Sequence, residues 1–138
     1  IRIMKTPITT KIFLAIAGVI GIAIGAGLLF VPVAFQASAG VMLGHDVNVL
    51  SDTRAAGGTL FAAGIVIAMG VFWPRMVHTS LVLTGLIYLS YGASRMLGLV
   101  LDGMPQSSLV AAMGVEILIG AVGLVLLRHW HKTQMSTA

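Results

Sequence analysis

Four long apolar runs, separated by short stretches that contain polar residues and proline, dominate the pattern of the chain. Each run has about the 20 residues that an α-helix needs to cross the hydrocarbon core of a bilayer. The pattern predicts one domain over residues 1–138, an all-α membrane protein in the form of a four-transmembrane-helix bundle. The predicted helices cover residues 12–31, 55–73, 79–101 and 109–127.

Prolines and small polar residues indicate where these helices begin and end. Pro32 and Pro74 end the first and second helices, because proline lacks a backbone N–H and clashes with the preceding turn. Asp52 is the predicted N-cap of the second helix, and the composition of residues 102–108 predicts a turn. Residues 33–53 are unusually apolar for a connection, so we expect them to lie along the membrane interface or to fold over the helix ends.

The first apolar run has a competing interpretation. A basic start, an apolar run and the sequence Ala37-Ser38-Ala39 together are also typical of a secretory signal peptide with its cleavage site. The run is longer than the roughly 7–15 residues of a signal-peptide core. We therefore interpret it as the first transmembrane helix.

Composition favours a membrane protein and excludes several kinds of site. The chain is 58% hydrophobic and 9% charged, whereas about 25% of the residues in soluble domains are charged. A lipid bilayer is therefore the predicted partner. Cysteine is absent, which excludes disulfides, thiolate metal sites and cysteine nucleophiles. The net charge of +4 is spread over loops and ends, so no nucleic-acid partner is predicted.

The basic residues predict how the helices are oriented. With four helices, both termini and the turn after the second helix lie on one side of the membrane. Most of the basic residues fall on that side, namely Arg2, Lys5, Lys11, Arg75, Arg128 and Lys132. Arg54, Arg95 and all four acidic residues fall in the half of the bundle toward the other side of the membrane. Because cytoplasmic loops carry an excess of Lys and Arg, both termini are predicted to be cytoplasmic.

Glycine is frequent and regularly spaced. The chain has 17 glycines, and many of those within the predicted helices recur at spacings of three, four and seven residues, which keep them on one face of a helix. In lipid, such small residues let helix backbones approach closely. The predicted helix-packing residues are Gly57, Gly58, Gly92, Gly98 and Gly120. These faces serve either packing within the chain or an interface with a second copy or a membrane-protein partner, and both interpretations remain open.

A charged residue lies within the third apolar run. Placing a charge such as that of Arg95 at mid-membrane costs roughly 2.5–3.5 kcal/mol on insertion scales. Arg95 is three residues from Gly92 and Gly98, and Glu116 is four residues from Gly120, so both charges are expected to face the bundle interior. We predict a buried Arg95–Glu116 pair, bracketed by other polar residues. The predicted cluster consists of Arg54, Tyr88, Tyr91, Arg95, Asp102 and Glu116.

This cluster has two interpretations, and neither of them involves a metal or a cofactor. It is either an ion pair that fixes the register of the helices, or an outward-facing polar pocket for a small anion, a lipid headgroup or a quinone-like ligand. His129 and His131 are two residues apart, which does not align them on one helical face, and they are predicted to belong to a polar tail. His45 and His78 lie outside the predicted helices.

Four segments of the chain match a known pattern. They are Thr53–Leu60, Ser94–Leu99 followed by Asp102–Pro105, Val115–Leu118 and Leu29–Pro32. They resemble the domain-of-unknown-function 4345 family, small bacterial inner-membrane proteins with four predicted helices. The resemblance covers most of the chain and implies the same fold, the same membrane and importance for Arg54, Arg95 and Glu116, but no activity. Ala56 departs from the family pattern, which often has an aromatic residue there.

Two functional hypotheses follow. The first is a non-enzymatic accessory or interaction subunit of the inner membrane, because glycine faces are abundant and the sequence has no phosphate-binding loop, nucleophile elbow or HExxH motif. The second is the binding or transport of a small anion, a lipid or a quinone-like ligand. The pocket for it would be formed by Arg54, Arg95, Asp102 and Glu116.

Overall fold

A computed structural model describes residues 5–136, so Arg2, which contributes to the predicted orientation, lies outside the described residues. This part of the chain is largely helical and contains no strand. Its elements are α1 (Ile8–Phe30), α2 (Pro32–Ser38), α3 (Val47–Phe72), a 3-10 turn (Pro74–Met76), α4 (Val77–Asp102) and α5 (Ser107–Met135). Four of them, α1, α3, α4 with the turn before it, and α5, are long and apolar enough to cross a membrane. The predicted all-α fold with four such helices is confirmed.

The N-terminus of α3 lies earlier in the chain than predicted. Asp46 is the N-cap, because its Oδ1 atom accepts hydrogen bonds from the backbone N–H groups of Asn48 (2.8 Å) and Val49 (3.4 Å). Asp52 lies inside the helix, so its prediction as the N-cap was wrong. Both aspartates suit a cap by residue type, but Gly44, with a φ of 70°, turns the chain just before Asp46.

The predicted connection over residues 33–53 is partly helical. Pro32 is the first residue of α2, a position where the fixed φ of proline is favourable and its missing N–H is not needed. The ring of Phe35 lies against Gly27 of α1, so α2 folds back over the end of that helix. An apolar segment that covers a helix end agrees with one of the two arrangements expected for this connection.

The last helix extends beyond its predicted end at residue 127 and reaches Met135. Trp130 is 8% exposed and belongs to the main apolar core, against which Leu126 and Leu127 also pack. These side chains continue the packed face of α5 through the segment predicted as a polar tail. That segment is therefore helical, and the predicted boundary was wrong.

The helices pack as two antiparallel pairs. α1 packs along α3, α4 packs along α5, and contacts between α3 and α4 join the two pairs. The buried core where the pairs meet includes Leu14, Ala17, Ile67, Leu81 and Tyr88. α1 and α5 do not pack along each other. They are therefore the two edges of a space on one side of the bundle.

The contact between α1 and α3 is close because glycines face the opposite backbone. A Cβ atom on Gly25 would overlap the backbone nitrogen of Phe61. A Cβ atom on Gly57, one of the predicted packing residues, would lie 2.6 Å from the backbone nitrogen of Leu29. Real Cβ atoms do not approach so closely, so larger residues at these positions would force the two helices apart.

Glycines also lie between α4 and α5, but there they face side chains. A Cβ atom on Gly92 would lie 2.6 Å from Cγ1 of Ile117, and one on Gly120 would lie 2.5 Å from Cγ of Leu89. Gly92 and Gly120 were both predicted to mediate helix packing, and both lie in the contact between the two helices. A flexible side chain can move aside more easily than a backbone, so this contact tolerates more adjustment.

Two other predicted packing glycines, Gly58 and Gly98, are partly exposed. A Cβ atom on Gly58 would lie 3.7 Å from Cδ1 of Leu29, which is an ordinary van der Waals distance. A Cβ atom on Gly98 would lie 3.7 Å from Oδ2 of Asp102 on the same helix. Neither glycine therefore marks a close approach between two helices of the described chain.

Candidate functional site

A groove of about 440 Å³ lies between α1 and α5. Ile20 and Ile24 belong to its α1 edge, Val115 belongs to its α5 edge, and Leu60 and Ile87 from α3 and α4 also line it. Most of its wall is apolar. The polar side chains in the wall are Gln36, Tyr88, Tyr91, Arg95, Ser108 and Glu116. The groove exists because α1 and α5 do not pack along each other.

Contacts narrow the groove at both ends. At the end covered by α2, the hydroxyl of Ser108 donates a hydrogen bond of 2.5 Å to the backbone oxygen of Ala39. At the opposite end, the ring of Phe13 in α1 lies 3.6 Å from the position of a Cβ atom on Gly123 in α5. The remaining opening is the gap between α1 and α5, on the side away from α3 and α4.

Arg95 and Glu116 form an ion pair between α4 and α5 in the wall of this groove. The Nε atom of Arg95 lies 2.9 Å from Oε2 and 3.2 Å from Oε1 of Glu116. The two side chains are 32% and 13% exposed, respectively, so the predicted burial of the pair was wrong. The groove is the reason, because no helix packs over this part of α4 and α5. A molecule in the groove can therefore contact the pair.

The pairing follows from the register of the α4–α5 hairpin. In each of three glycine contacts between these helices, the position halfway along the sequence between the two residues falls between Met104 and Pro105, at the centre of the turn. These contacts are Gly85 with Leu124, Leu89 with Gly120, and Gly92 with Ile117. The midpoint of Arg95 and Glu116 lies one residue further along the chain. The short turn between α4 and α5 thus fixes which residues of the two helices face each other.

The two predicted tyrosines differ in how their hydroxyls are used. Tyr88 is 4% exposed, and its hydroxyl donates a hydrogen bond of 2.5 Å to the backbone oxygen of Ala17. Tyr88 therefore links α4 to α1. Tyr91 lies one turn before Arg95 and also lines the groove. Its hydroxyl makes no hydrogen bond within residues 5–136, so it is available to a ligand.

Arg54 is not part of this arrangement. Its Nη1 atom donates hydrogen bonds to the backbone oxygens of Leu29 and Phe30, the latter at 3.3 Å. These are the last carbonyls of α1, which have no partner within the helix and carry the negative end of its dipole. Arg54 therefore closes the C-terminus of α1 and does not line the groove. The prediction that it brackets the ion pair was wrong.

Asp102 lies near the pair without joining it. It is exposed and borders a smaller cavity of about 200 Å³ that Arg95 also lines. Within residues 5–136, Asp102 forms no salt bridge. Gln36 and Ser108 supply further polar groups to the groove instead. Neither was predicted: Gln36 reaches the groove only because α2 folds over the helix ends, and Ser108 lies in the first turn of α5, within the segment predicted as a turn.

A second polar contact between α4 and α5 lies at the other end of the hairpin. The Nε2 atoms of His78 and His131 are 3.3 Å apart, and the two rings are nearly perpendicular, at 83°. The prediction that His131 belongs to a polar tail with His129 was wrong, because α5 continues past both residues. The register described above could have found this pair, since its midpoint also falls between Met104 and Pro105.

The sequence model of the family described as Domain of unknown function (DUF4345) matches residues 9–127. The chain belongs to the DUF4345 family. The match includes every residue that lines the groove, and with them the Arg95–Glu116 pair. No curated protein and no solved structure matches the chain. Because the DUF4345 description assigns no activity, the function has to be argued from the groove itself.

Proposed function

We propose that this DUF4345 protein binds an uncharged amphiphile of quinone or neutral-lipid type in the groove between α1 and α5. The observation that carries this proposal is a partly exposed ion pair, Arg95 with Glu116, in the wall of an otherwise mostly apolar groove. Small-molecule sites typically have volumes of about 300–1,000 Å³ and combine apolar walls with a few polar groups. The groove, at about 440 Å³, has both properties.

The polar groups favour an uncharged head over a free anion. Glu116 already balances the charge of Arg95 at 2.9 Å, and Arg54 is engaged with the end of α1. An anion would therefore meet little net positive charge in the groove. The Nη groups of Arg95 and the hydroxyl of Tyr91 make no hydrogen bond within residues 5–136, so they remain as donors. Carbonyl or hydroxyl oxygens of a quinone or a neutral lipid accept such hydrogen bonds.

The apolar part of the ligand would lie along the two edges of the groove. Ile20, Ile24 and Leu28 form the α1 edge, and Val115 forms part of the α5 edge. These helices are long and apolar enough to lie in a bilayer, so a gap between them gives a hydrocarbon chain a route from the lipid to the groove. Such a ligand needs no passage through water.

An accessory or interaction role, without enzymatic activity, remains the second hypothesis. The frequency of glycine motivated it, but Gly57, Gly92 and Gly120 are engaged in contacts within the chain. The remaining support is therefore weaker than the support for the groove. A second protein that co-purifies at fixed stoichiometry in mild detergent, detected by native mass spectrometry, would favour this role.

We also propose that the protein lies in a bacterial inner membrane with both termini in the cytoplasm. The support is the family resemblance and the concentration of basic residues in the segments on the same side of the membrane as the termini, including Lys11, Arg75 and Arg128. Because the chain has no cysteine, single cysteines introduced at Asp46 and Arg75 can be labelled in intact cells. Labelling of only the Asp46→Cys variant by an impermeant reagent is expected, and the reverse pattern would contradict this orientation.

Filling the groove tests ligand binding directly. Ala112 lines the groove on α5, so Ala112→Phe places a ring inside it. Ala121 is exposed on the same helix and does not line the groove, so Ala121→Phe is the matched control. We expect native mass spectrometry to detect bound decylubiquinone on the wild type and on Ala121→Phe, and little on Ala112→Phe.

Two outcomes would contradict the proposal. Equal retention of decylubiquinone by both phenylalanine variants would mean that it binds elsewhere. Binding of inorganic phosphate that Arg95→Gln abolishes, without any binding of decylubiquinone, would support the small-anion alternative instead.

A further inference from the structure

The histidine contact between α4 and α5 lies outside the groove and is not used by the proposed function. His78 is in the first turn of α4, and His131 is in the last two turns of α5. Both side chains are exposed, so an ion in the surrounding water can reach them. The close packing of the hairpin holds the two rings together. The contact is therefore a preformed pair of imidazole nitrogens.

We propose that His78 and His131 together bind a Zn²⁺ ion. An ion held about 2.0–2.1 Å from two imidazole nitrogens at a tetrahedral angle keeps those nitrogens about 3.3 Å apart. The Nε2 atoms of His78 and His131 are 3.3 Å apart. Imidazole nitrogens suit Zn²⁺ among the common metal ions. The spacing of this pair thus matches that of two ligands on one tetrahedral ion.

The distance between the rings supports a shared ion over a direct hydrogen bond. If both nitrogens point at a tetrahedral ion, the ring centroids lie about 5.2 Å apart, whereas a linear hydrogen bond of the same length between two imidazoles places them about 5.6 Å apart. The centroids of His78 and His131 are 5.1 Å apart. The centroid distance is therefore too short for a linear hydrogen bond of this length and agrees with two nitrogens held by one tetrahedral ion.

Two coordination positions of the ion would remain for other ligands. The described residues contain no group of three or more His, Cys, Asp or Glu side chains that could hold a metal. Arg75 and Arg128 each precede one of the two histidines by three residues, so this end of the hairpin is basic. Water or the phosphate of a lipid headgroup fits such surroundings and would fill both positions, one more than the single open position of catalytic zinc sites with three protein ligands.

Titration with Zn²⁺ tests the site in the full chain, purified in detergent with any affinity tag removed. Calorimetry should show one Zn²⁺ bound per chain. Changes to residues that only support a metal ligand lower metal affinity about 10- to 100-fold, so His78→Gln and His131→Gln should each lower it by about tenfold or more. His129→Gln, which changes an exposed histidine two residues from His131, should leave the affinity unchanged.

The Gln variants keep polar side chains at exposed positions, and size-exclusion chromatography verifies that they fold. If one variant does not fold, the affinity of the other variant is compared with that of the wild type. In addition, the Co²⁺ complex of the wild type should show the intense visible absorption of a tetrahedral site. No saturable Zn²⁺ binding by the wild type would overturn the proposal. An equal loss of affinity in His129→Gln and His131→Gln would also overturn it.

Discussion

The two helix pairs of the bundle differ in what lies between their helices. Between α1 and α3, glycines of one helix meet the backbone of the other, as at Gly25 with Phe61 and at Gly21 with Gly64. Between α4 and α5, the atoms nearest to a Cβ added on each glycine belong to side chains of leucine, isoleucine or threonine, and the backbone comes no closer than the 3.0 Å from Gly120 to the nitrogen of Leu89. The α4–α5 pair also contains the contact of Arg95 with Glu116 and that of His78 with His131, whereas no salt bridge joins α1 to α3 within residues 5–136.

This difference indicates that the helices of the two pairs are held together in different ways. In lipid, helix association depends on close packing and on hydrogen bonds between helices, because burial of apolar surface provides little driving force. The α1–α3 pair depends on close packing along its length and has little room for change, and the hydrogen bonds of Arg54 join it only at the C-terminus of α1. The α4–α5 pair uses both, and its side chains can adjust. The polar pairs that we propose to contact a ligand or an ion, Arg95 with Glu116 and His78 with His131, both belong to the second pair.

The largest effect is expected from Gly25→Ala, because the added Cβ atom would overlap the backbone of α3. Overpacking of this kind costs about 3 kcal/mol. The free energy of unfolding, measured by titration with SDS in mixed micelles, should fall by about that amount. Gly114 is exposed on α5 with no atom within 4 Å of its added Cβ, so Gly114→Ala is the control and should not destabilise the protein.

Gly92→Ala sharpens the comparison between the pairs. The added Cβ atom would meet the side chain of Ile117, which can move, so its cost should be about 1 kcal/mol, at the low end for overpacking. Equal losses of unfolding free energy for Gly25→Ala and Gly92→Ala would show that the two interfaces do not differ in rigidity.

An effect of similar size is expected from the ion pair. A double-mutant cycle with Arg95→Gln and Glu116→Gln should give a coupling free energy of about 1 kcal/mol, between the average of about 0.6 kcal/mol and the maximum of about 1.7 kcal/mol found for hydrogen bonds between membrane helices. Asp102 forms no salt bridge within residues 5–136. The same cycle with Asp102→Asn in place of Glu116→Gln should therefore give no coupling, and similar values in the two cycles would contradict the pairing.

The smallest effect is expected from one of the hydrogen bonds that join the pairs, that of Tyr88. Tyr88→Phe removes the bond from the hydroxyl to the backbone oxygen of Ala17 and should lower the free energy of unfolding by about 0.6 kcal/mol. Tyr91→Phe is the matched control, because the hydroxyl of Tyr91 makes no hydrogen bond within residues 5–136. If Tyr91→Phe were the more destabilising change, the assignment of Tyr88 as the link would be wrong.

The sequence predicted those features that depend on spacing along one helix or across one short turn. The length of the apolar runs predicted the four long helices, because the thickness of a bilayer sets that length. The positions of Arg95 and Glu116 on glycine faces predicted that the two side chains would meet. The pairing of His78 with His131 follows from the same hairpin register, and it was missed because α5 was predicted to end too early.

Other features depend on contacts that spacing does not encode. Asp46 and Asp52 suit a helix cap equally by residue type, and the turn at Gly44 decides between them. Arg54 was predicted to bracket the Arg95–Glu116 pair, but it reaches the free carbonyls of α1, which only the packing of α1 on α3 brings near. The partial exposure of the ion pair depends on the separation of α1 from α5, and no local pattern reports that distance.

Access to the groove can be measured directly through a cysteine at Ala112, since the chain has no cysteine of its own. The rate at which a maleimide labels Ala112→Cys in lipid nanodiscs should fall when decylubiquinone is added, because the ligand would cover the new thiol. Labelling of Ala121→Cys, on the exposed face of α5, should keep its rate. If decylubiquinone changed neither rate, or slowed both equally, the groove between α1 and α5 would not be its binding site.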